Sequence, residues 1–433
     1  MIDVLKENNR KMEQAFIVGI QEPGSPHGTA IEHLYELKEL AKTLGLKTSG
    51  ELIVSLKIPH PKFFIGSGKA EEIANLAKEK SCECIIVDSE LSPSQQRNWE
   101  KLAAMPVFDR QEIIIDIFAD RAISREAVIQ VELARLQYML PRLARAWTHL
   151  SRQKGGAMGT RGEGEQQIEV DRRIVKKKIA HYQRDLKDVK QHRETQRKLR
   201  DKNRALQAAI VGYTNAGKSS LMNALCGSSV LVEDKLFATL DPTTRQIKLL
   251  NNQPLLLTDT VGFIRKLPHT LVEAFKSTLE EAVLSDMLIH VVDISDPYFE
   301  EHQATTLSVL GELGAKDKDI ITVFNKIDVQ DDILIKRRLE AIHPGSIFIS
   351  AKNGEGIDNL LSALTGKARH KSEILSVKLP PERHDLAALA YKSGKVISSE
   401  YDEDGNLHLT ISVDKAISGK FAEFRFPVML SST

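Results

Sequence analysis

The chain has 433 residues, of which 42% are hydrophobic and 27% are charged, and its formal net charge is +1 at pH 7. This composition is typical of a globular protein with room for several domains, and any basic surface must be local. The cysteines, Cys82, Cys84 and Cys226, include no second pair that could complete a zinc site, so we expect reduced thiols.

The first residues of the chain are polar, and no apolar run approaches the length that a membrane span requires. We therefore expect no transmembrane segment and a cytoplasmic location, with a peripheral position at the membrane as a further possibility.

Residues 1–122 alternate strand and helix patterns, which predicts an N-terminal α/β domain with a parallel sheet. A helix is expected to begin after Ser92, with Ser92 as its N-cap and Pro93 in its first turn. The predicted strands cover residues 15–20, 52–56, 84–87 and 106–109, and two further helices cover residues 30–44 and 70–77.

Residues 66–69 of this region read Gly-Ser-Gly-Lys, which invites comparison with a phosphate-binding loop. The six-residue spacing and the terminal Ser or Thr of such a loop are absent. We interpret the segment as a tight turn between a strand and a helix.

Residues 123–204 carry two apolar stripes with alternating spacings of four and three, which predicts an antiparallel helical hairpin. Pro141 is expected to kink or restart the first helix. Residues 155–165 contain five glycines, so we predict a flexible loop without a regular element. The first stripe comprises Ile129, Leu133, Leu136, Leu140, Leu143, Trp147 and Leu150, and the second comprises Val175, Ile179, Tyr182, Leu186 and Val189.

The second predicted helix is strongly basic. Residues 171–204 hold 14 lysines and arginines against five acids, a local charge of +9. A solvated helix face is the simplest interpretation of such a run. The size of the excess and the adjacent Gly-rich segment favour contact with nucleic acid, and the scarcity of aromatic residues favours phosphate and shape contacts to folded RNA.

Residues 205–366 contain a motif of the form G-x-x-x-x-G-K-[ST], placed between a strand-like run and a helix start. Backbone N–H groups of such a loop and the helix N-terminus surround phosphate oxygens. Lys218 would reach the β- and γ-phosphates, and Ser219 would hold Mg²⁺. The loop consists of Gly212, Tyr213, Thr214, Asn215, Ala216, Gly217, Lys218 and Ser219.

Three later motifs, each after a strand-like run, narrow the ligand to GTP or GDP. In the first, a D-x-x-G motif, Asp259 would reach Mg²⁺ through water and the Gly262 N–H would contact the γ-phosphate. In the second, an N-K-x-D motif, the Asp328 carboxylate can accept hydrogen bonds from the ring N–H and the exocyclic amine of guanine. In the third, a backbone N–H can meet guanine O6. The motifs comprise Asp259, Thr260, Val261 and Gly262; Asn325, Lys326, Ile327 and Asp328; and Ser350, Ala351 and Lys352.

Residues 237–245 are the candidate switch I, in which a threonine should complete the Mg²⁺ shell and sense the γ-phosphate. Thr239, Thr243 and Thr244 are the three candidates, and the residues alone do not choose among them. Phe263 follows the D-x-x-G motif and cannot hydrogen-bond a water. Intrinsic hydrolysis should therefore be slow, or the attacking water must be placed by another group.

Asn215 in the phosphate loop suggests another way to assist hydrolysis. In a group of GTPases with asparagine at this position, the side chain helps to bind a K⁺ ion that supplies positive charge. We carry this over as a hypothesis, and the alternative is that Asn215 only shapes the loop.

Residues 367–433 predict a small C-terminal α+β domain with strands at residues 374–379, 396–399 and 407–413. Residues 404–406, Asp-Gly-Asn, mark a hairpin turn. We find no catalytic constellation in this region.

The chain resembles the HflX family of GTPases along essentially its whole length. The resemblance rests on segments outside the shared GTP motifs and departs from the family at Glu163, where proline is usual in G-P-G-E. Glu163 makes the loop tip more acidic. The segments are residues 64–69, 91–98 and 130–134, the Gly-rich segment running into residues 171–173, and Phe237, Ala238, Thr239, Leu240 and Asp241.

The resemblance implies a protein that binds the large (50S) ribosomal subunit and splits stalled or idle 70S ribosomes, with GTP as a switch and ribosomal RNA as the partner. It also favours Thr239 as the Mg²⁺ ligand. We expect no DNA partner and a monomer. Two alternatives are an RNA-modification enzyme gated by the GTP-binding domain and a GTP-binding scaffold with little turnover. The first would need a catalytic cluster outside that domain, and the sequence shows none.

Overall fold

The computed structural model describes residues 12–26, 28–143, 161–201, 206–227, 236–251, 253–267, 281–330 and 332–426. Within these ranges the fold is mixed α/β, as the sequence predicts, and it has three separate sheets. Among the described residues, we find no helix with the combination of length and apolarity that spanning a bilayer demands.

The N-terminal region is built on a four-stranded parallel sheet with the order β2-β1-β3-β4. Apolar clusters cover both of its faces, which explains the nearly continuous apolar runs of the strands. The elements are β1 (Gln14–Gln21), α1 (Thr29–Thr43), β2 (Lys47–Ser55), α2 (Ser67–Glu79), β3 (Cys84–Val87), α3 (Pro93–Ala103), β4 (Val107–Asp109) and α4 (Arg110–Arg121).

The predicted start of α3 is confirmed, because the Ser92 hydroxyl accepts a hydrogen bond from the Gln95 N–H in a capping box. Helix α4 was not predicted. Asp109 ends β4 and also caps α4, since its carboxylate accepts from the Glu112 N–H at 2.9 Å. The strand and the helix thus share one residue, and no turn residues separate them in the sequence.

The interpretation of residues 66–69 as a tight turn between a strand and a helix is wrong, because residues 67–69 already belong to the helix. Residues 56–66 separate β2 from α2, and Gly66 is the extended N-cap residue of α2. Lys69 lies in the first turn of that helix and pairs with Glu72 at 2.7 Å. The helix start explains the small residues, and the lysine is engaged on the surface.

Helix α5 (Arg125–Met139) packs against the long helix α6 (Arg161–Asp201), with Ile129, Leu133 and Leu186 buried between them. Helix α5 ends at Met139, and Pro141 lies in a 3₁₀ turn over Leu140–Arg142, in agreement with the predicted interruption of the first helix. The prediction of a loop through residue 165 is wrong, because α6 already begins at Arg161. Gly162 and Gly164 therefore lie inside the helix, where each costs about 1 kcal/mol relative to alanine. Residues 144–160 lie outside the described residues. They include Trp147 and Leu150 of the first apolar stripe and most of the predicted loop.

The third region carries a six-stranded sheet with the order β10-β9-β8-β5-β7-β6, in which only the β6–β7 pairing is antiparallel. The carboxyl ends of its parallel strands therefore share one edge, where each GTP motif follows a strand. The elements are β5 (Leu206–Gly212), α7 (Lys218–Cys226), β6 (Thr243–Lys248), β7 (Pro254–Asp259), β8 (Met287–Asp293), α8 (Phe299–Glu312), β9 (Asp319–Asn325), α9 (Ile333–Ile342), β10 (Ile347–Phe348) and α10 (Ile357–Lys371).

The last region is a three-stranded antiparallel sheet, β11-β13-β12, with its own apolar core. The predicted hairpin turn is confirmed, and Gly405 takes a φ of 82° that favours glycine. The elements are β11 (Ser372–Leu379), α11 (His384–Ser393), β12 (Gly394–Tyr401), β13 (Leu407–Asp414), α12 (Lys415–Ser418) and a 3₁₀ helix (Gly419–Phe424).

Candidate functional site

The phosphate loop joins β5 to α7 and is shaped by its glycines. Gly217, the N-cap of α7, has a φ of 90°, and a Cβ at this position would lie 2.2 Å from Asn325 Nδ2. Only glycine fits both the left-handed backbone and the contact with the N-K-x-D motif. The loop N–H groups and the start of α7 therefore face a common cavity.

Lys218 lies across this loop and is buried. Its Nζ donates a hydrogen bond to the Tyr213 carbonyl at 2.7 Å. Burial lowers the pKa of Lys218 to about 8, although the nearby Asp259 carboxylate acts in the opposite direction. A polyphosphate at this position would stabilise the charged form of the lysine.

Three oxygen ligands converge beside the lysine. Ser219 Oγ lies 2.7 Å from Asp259 Oδ2 and 2.8 Å from Thr239 Oγ1, and Thr239 Oγ1 lies 3.2 Å from Asp259 Oδ2. The other oxygen of Asp259 is buried and has no hydrogen-bond partner among the described residues. A cluster of hydroxyl and carboxylate oxygens with one oxygen left over fits a hard divalent cation such as Mg²⁺.

The same geometry separates the three candidate threonines. Thr239 reaches the oxygen cluster, whereas Thr243 and Thr244 lie in β6, and Thr244 Oγ1 bonds Thr258 Oγ1 at 2.9 Å. The position of Thr239 favours it as the Mg²⁺ ligand, in line with the family resemblance.

A small cavity of about 50 Å³ lies between the phosphate loop and switch I. Gly262 lines it, and a Cβ there would lie 2.8 Å from Lys218 Nζ and 2.9 Å from Thr214. The Gly262 N–H is proposed to contact the γ-phosphate, and the tight packing explains why no side chain can stand at this residue. The lining residues are Thr214, Asn215, Gly217, Lys218, Ser219, Ser220, Phe237, Ala238, Thr239 and Gly262.

Phe263 points away from this cavity. Its side chain is 1% exposed and packs in an apolar cluster with Ala209, Val211 and Leu288. Its backbone joins the phosphate loop, since the Thr214 N–H donates to the Phe263 carbonyl at 2.8 Å. A water for hydrolysis must therefore be placed by another group.

Asn215 is exposed at the mouth of the cavity and has a φ of 60°. This left-handed conformation is one that asparagine tolerates better than most residues. The geometry is compatible both with a role in shaping the loop and with the proposed K⁺ contact.

The N-K-x-D and Ser-Ala-Lys segments are joined by hydrogen bonds. Asn325 Nδ2 donates to the Ala216 carbonyl at 2.9 Å, and the Ala351 N–H donates to Asn325 Oδ1 at 3.0 Å. Ser350 Oγ donates to Asp328 Oδ1 at 2.7 Å, which fixes the carboxylate proposed to read guanine. Lys326 pairs with Asp293 at 2.5 Å.

The remaining predicted site residues support this edge of the sheet. Thr260 is fully buried, and its hydroxyl donates to the Ile210 carbonyl at 2.7 Å. Val261 and Leu240 pack in the apolar core, whereas Ala238 and Lys352 are exposed. The Ile327 N–H donates to the Ile349 carbonyl at 3.3 Å.

The structure also reveals an interface that the sequence did not predict: the N-terminal sheet docks onto the residues after the D-x-x-G motif. Arg110 donates to Asp88 at 2.9 Å, to Glu36 and to the Arg265 carbonyl, and Arg265 donates to Asp88 at 2.8 Å. The Tyr213 hydroxyl donates to Glu36 at 2.7 Å and accepts from the Arg265 N–H at 2.9 Å. The phosphate loop is therefore tied to the N-terminal domain.

Switch I makes a second contact of this kind. The Asp241 carboxylate accepts from the Ser124 N–H at 2.9 Å and from the Ser124 hydroxyl, immediately before α5 of the helical hairpin. The Phe237 ring packs on Phe118 with 4.6 Å between centroids. Thr239, at the proposed Mg²⁺ site, lies between these two contact residues in the chain.

The strand order and the motifs at its edge define a P-loop GTPase. A family model described as 50S ribosome-binding GTPase matches residues 207–326. Models described as GTP-binding GTPase N-terminal and GTP-binding GTPase Middle Region match residues 31–119 and 121–200.

GTPase HflX of Akkermansia muciniphila is 49% identical over 414 residues, which cover 93% of this chain and 95% of the relative. GTPase HflX of Lacrimispora saccharolytica is 48% identical over 372 residues, covering 86% and 87%. The chain belongs to the HflX family of GTPases, which confirms the resemblance. A crystal structure of a GTP-binding protein from Sulfolobus solfataricus in complex with GDP is 27% identical, has a TM-score of 0.44, and is matched over 83% of this chain and 99% of that chain.

Proposed function

We propose that this GTPase binds the 50S ribosomal subunit and uses GTP to split stalled or idle 70S ribosomes. The observation that carries the proposal is the path from the nucleotide site to the helical hairpin. Thr239 reaches the oxygen cluster of Ser219 and Asp259, and Asp241, two residues further on, holds the start of the hairpin at Ser124. A change in switch I is thereby linked to the hairpin.

Exposed basic residues on α6 provide the surface for ribosomal RNA. The lysines and arginines of its described part point to solvent rather than into the protein. Phosphate contacts from such a face would give affinity that depends on salt. These exposed residues are Arg172, Arg173, Lys176, Lys177, Lys178, Arg184 and Lys187.

The catalytic part of the proposal assigns roles to the residues around the phosphate cavity. Lys218 and the loop N–H groups hold the β- and γ-phosphates, Gly262 contacts the γ-phosphate, and Ser219 and Thr239 would hold Mg²⁺. When bound, Mg²⁺ supplies positive charge to the transferring phosphoryl group. Asp328 reads guanine.

Asn215 would bind K⁺ at the mouth of the cavity and thereby supply positive charge to the transferring phosphoryl group. Hydrolysis rates in K⁺ and Na⁺ buffers test this role. We expect faster turnover in K⁺, and equal rates would exclude it.

The ribosomal role is tested by steady-state GTP hydrolysis with purified 50S subunits, with 30S subunits as the control. We expect stimulation by 50S and little by 30S. The proposal describes a cytoplasmic monomer, and absence of any 50S stimulation would contradict it.

A further inference from the structure

A cluster of potential metal ligands bridges the N-terminal domain and the GTPase domain at a distance from the proposed Mg²⁺ site. Glu32 and His33 lie on α1, and Glu301 lies on α8. One ligand atom from each of the three side chains lies within 4.8 Å of the others. We propose that Glu32, His33 and Glu301 bind a divalent transition-metal ion, with Zn²⁺ as the representative ion.

The state of the Glu32 carboxylate points to a missing ligand. The side chain is only 9% exposed, and one oxygen accepts a hydrogen bond from His302 Nε2 at 3.2 Å when that nitrogen carries the proton. The other oxygen is buried and accepts no N–H or alcohol O–H among the described residues, and the Glu301 carboxyl lies within hydrogen-bonding reach of Glu32. Two carboxylates this close repel each other when both are ionised, and a cation bound between them would remove that cost.

The ligand types decide the class of metal. Imidazole nitrogen together with carboxylate oxygens suits Zn²⁺ and related ions better than Mg²⁺ or Ca²⁺. Ligands about 2.1 Å from a tetrahedral Zn²⁺ ion lie about 3.4 Å apart, so small side-chain rotations would close the site. Three protein ligands leave one position for water.

Three basic side chains, Arg110, Arg265 and Lys266, lie near the cluster, and each is paired with a carboxylate. Arg110 and Arg265 bond Asp88 at 2.9 and 2.8 Å, and Lys266 pairs with Glu22 at 2.5 Å. His302 orients the Glu32 carboxylate, as outer-shell groups do at metal sites. Its ring also stacks on Tyr213 of the phosphate loop with 3.8 Å between centroids.

The expected consequence is a metal clamp between α1 and α8. An ion held by residues of both helices would stabilise the docked arrangement of the two domains. Through His302 and Tyr213 it would also support the phosphate loop. The clamp is independent of any ribosomal role.

The test measures Zn²⁺ binding by isothermal titration to tag-free, full-length protein saturated with GDP and Mg²⁺, so that the nucleotide site is filled. Co²⁺ is used in parallel, because its visible d–d absorption reports coordination by nitrogen and oxygen. The variants are His33→Ala and the surface substitution Glu301→Gln. Glu300→Gln is the matched control, since Glu300 lies on the same helix and pairs with Arg338.

We expect one Zn²⁺ per wild-type chain, affinity reduced at least tenfold in both ligand variants, and no change in the control. Zn²⁺ should raise the melting temperature of the wild type and of Glu300→Gln but not of Glu301→Gln. Equal Zn²⁺ affinity in wild type and Glu301→Gln, or no binding to folded wild type, would overturn the proposal.

Discussion

The phosphate cavity and the docking interface of the N-terminal sheet meet at Tyr213. They differ in how far their buried charged side chains are paired with one another. In the described part of the cavity, Asp259 keeps a buried oxygen without a hydrogen-bond partner, and the buried Lys218 donates to a backbone carbonyl. In the interface, Arg110 and Asp88 are equally buried but bond each other. Arg265 also bonds Asp88 through Nη2, while its Nε and Nη1 are buried without a partner among the described residues. The incomplete cluster is suited to a ligand, whereas the paired cluster holds two domains together.

The two regions also contact different parts of the molecule. The cavity borders switch I through Thr239, and the same segment contacts the hairpin through Asp241. The interface instead fixes Arg265 and the hydroxyl of Tyr213 to the N-terminal domain. A nucleotide-dependent change in the switches would have to be accommodated at both contacts.

The largest effect should come from removing the positively charged side chain of Lys218 from the cavity. Lys218→Ala should lower GTP turnover by about 10³-fold, which corresponds to about 4 kcal/mol, because the charge that holds the phosphates is lost. Turnover is measured by phosphate release. Lys69→Ala, in the Gly-Ser-Gly-Lys segment that we place on the surface of α2, is the control and should retain full activity. Normal turnover by Lys218→Ala would refute the phosphate assignment.

Breaking the interface should affect stability. Arg110→Ala removes one of the two arginines that bond the buried Asp88 carboxylate and also removes the buried partner of Glu36. We expect a loss of about 3–5 kcal/mol in the free energy of unfolding. Scanning calorimetry and urea unfolding measure the change. Arg338→Ala removes an exposed pair with Glu300 and should cost less than about 1 kcal/mol. Similar small losses in both variants would show that the buried pair does not stabilise the docked state.

Base recognition should shift without loss of the fold. Asp328→Asn should lower the preference for GTP over xanthosine triphosphate by about 100-fold, because the amide replaces a charged acceptor with a donor. Competition binding with the two nucleotides gives the ratio, and Asp332→Asn on the nearby surface is the control. An unchanged ratio is the outcome that excludes the assigned role.

The fold and the cavity were predictable where the signal is local in the sequence. The loop from Gly212 to Ser219 is contiguous, and its neighbouring strand and helix are encoded by adjacent residues. The interface was not predictable, because Asp88, Arg110 and Arg265 are widely separated and none is unusual alone. The residues alone did not separate Thr239 from Thr243 and Thr244, whereas the family resemblance and the distances in the structure both favour Thr239. Helix α6 begins inside a Gly-rich segment whose composition predicts a loop.

The smallest effect should appear at the contact between switch I and the hairpin. Ser124→Ala removes the N-cap of α5 and its hydroxyl contact with Asp241, a loss of about 1 kcal/mol. We expect 50S-stimulated GTP hydrolysis to fall about fivefold while the basal rate is unchanged. Ser92→Ala removes a similar cap from α3, away from the switches, and should leave stimulation intact. Equal behaviour of the two variants would break the proposed link.

The most direct test of the account is the affinity of the protein for 50S subunits, measured by pelleting across a salt series with a GTP analogue and with GDP. The account predicts tighter binding with the analogue and a steep loss of affinity with salt. Replacing Arg172, Arg173 and Lys176 with glutamate should reduce the salt slope by about two to three. Equal affinity with both nucleotides, together with an unaltered slope in the charge-reversed protein, would contradict a nucleotide-controlled basic hairpin.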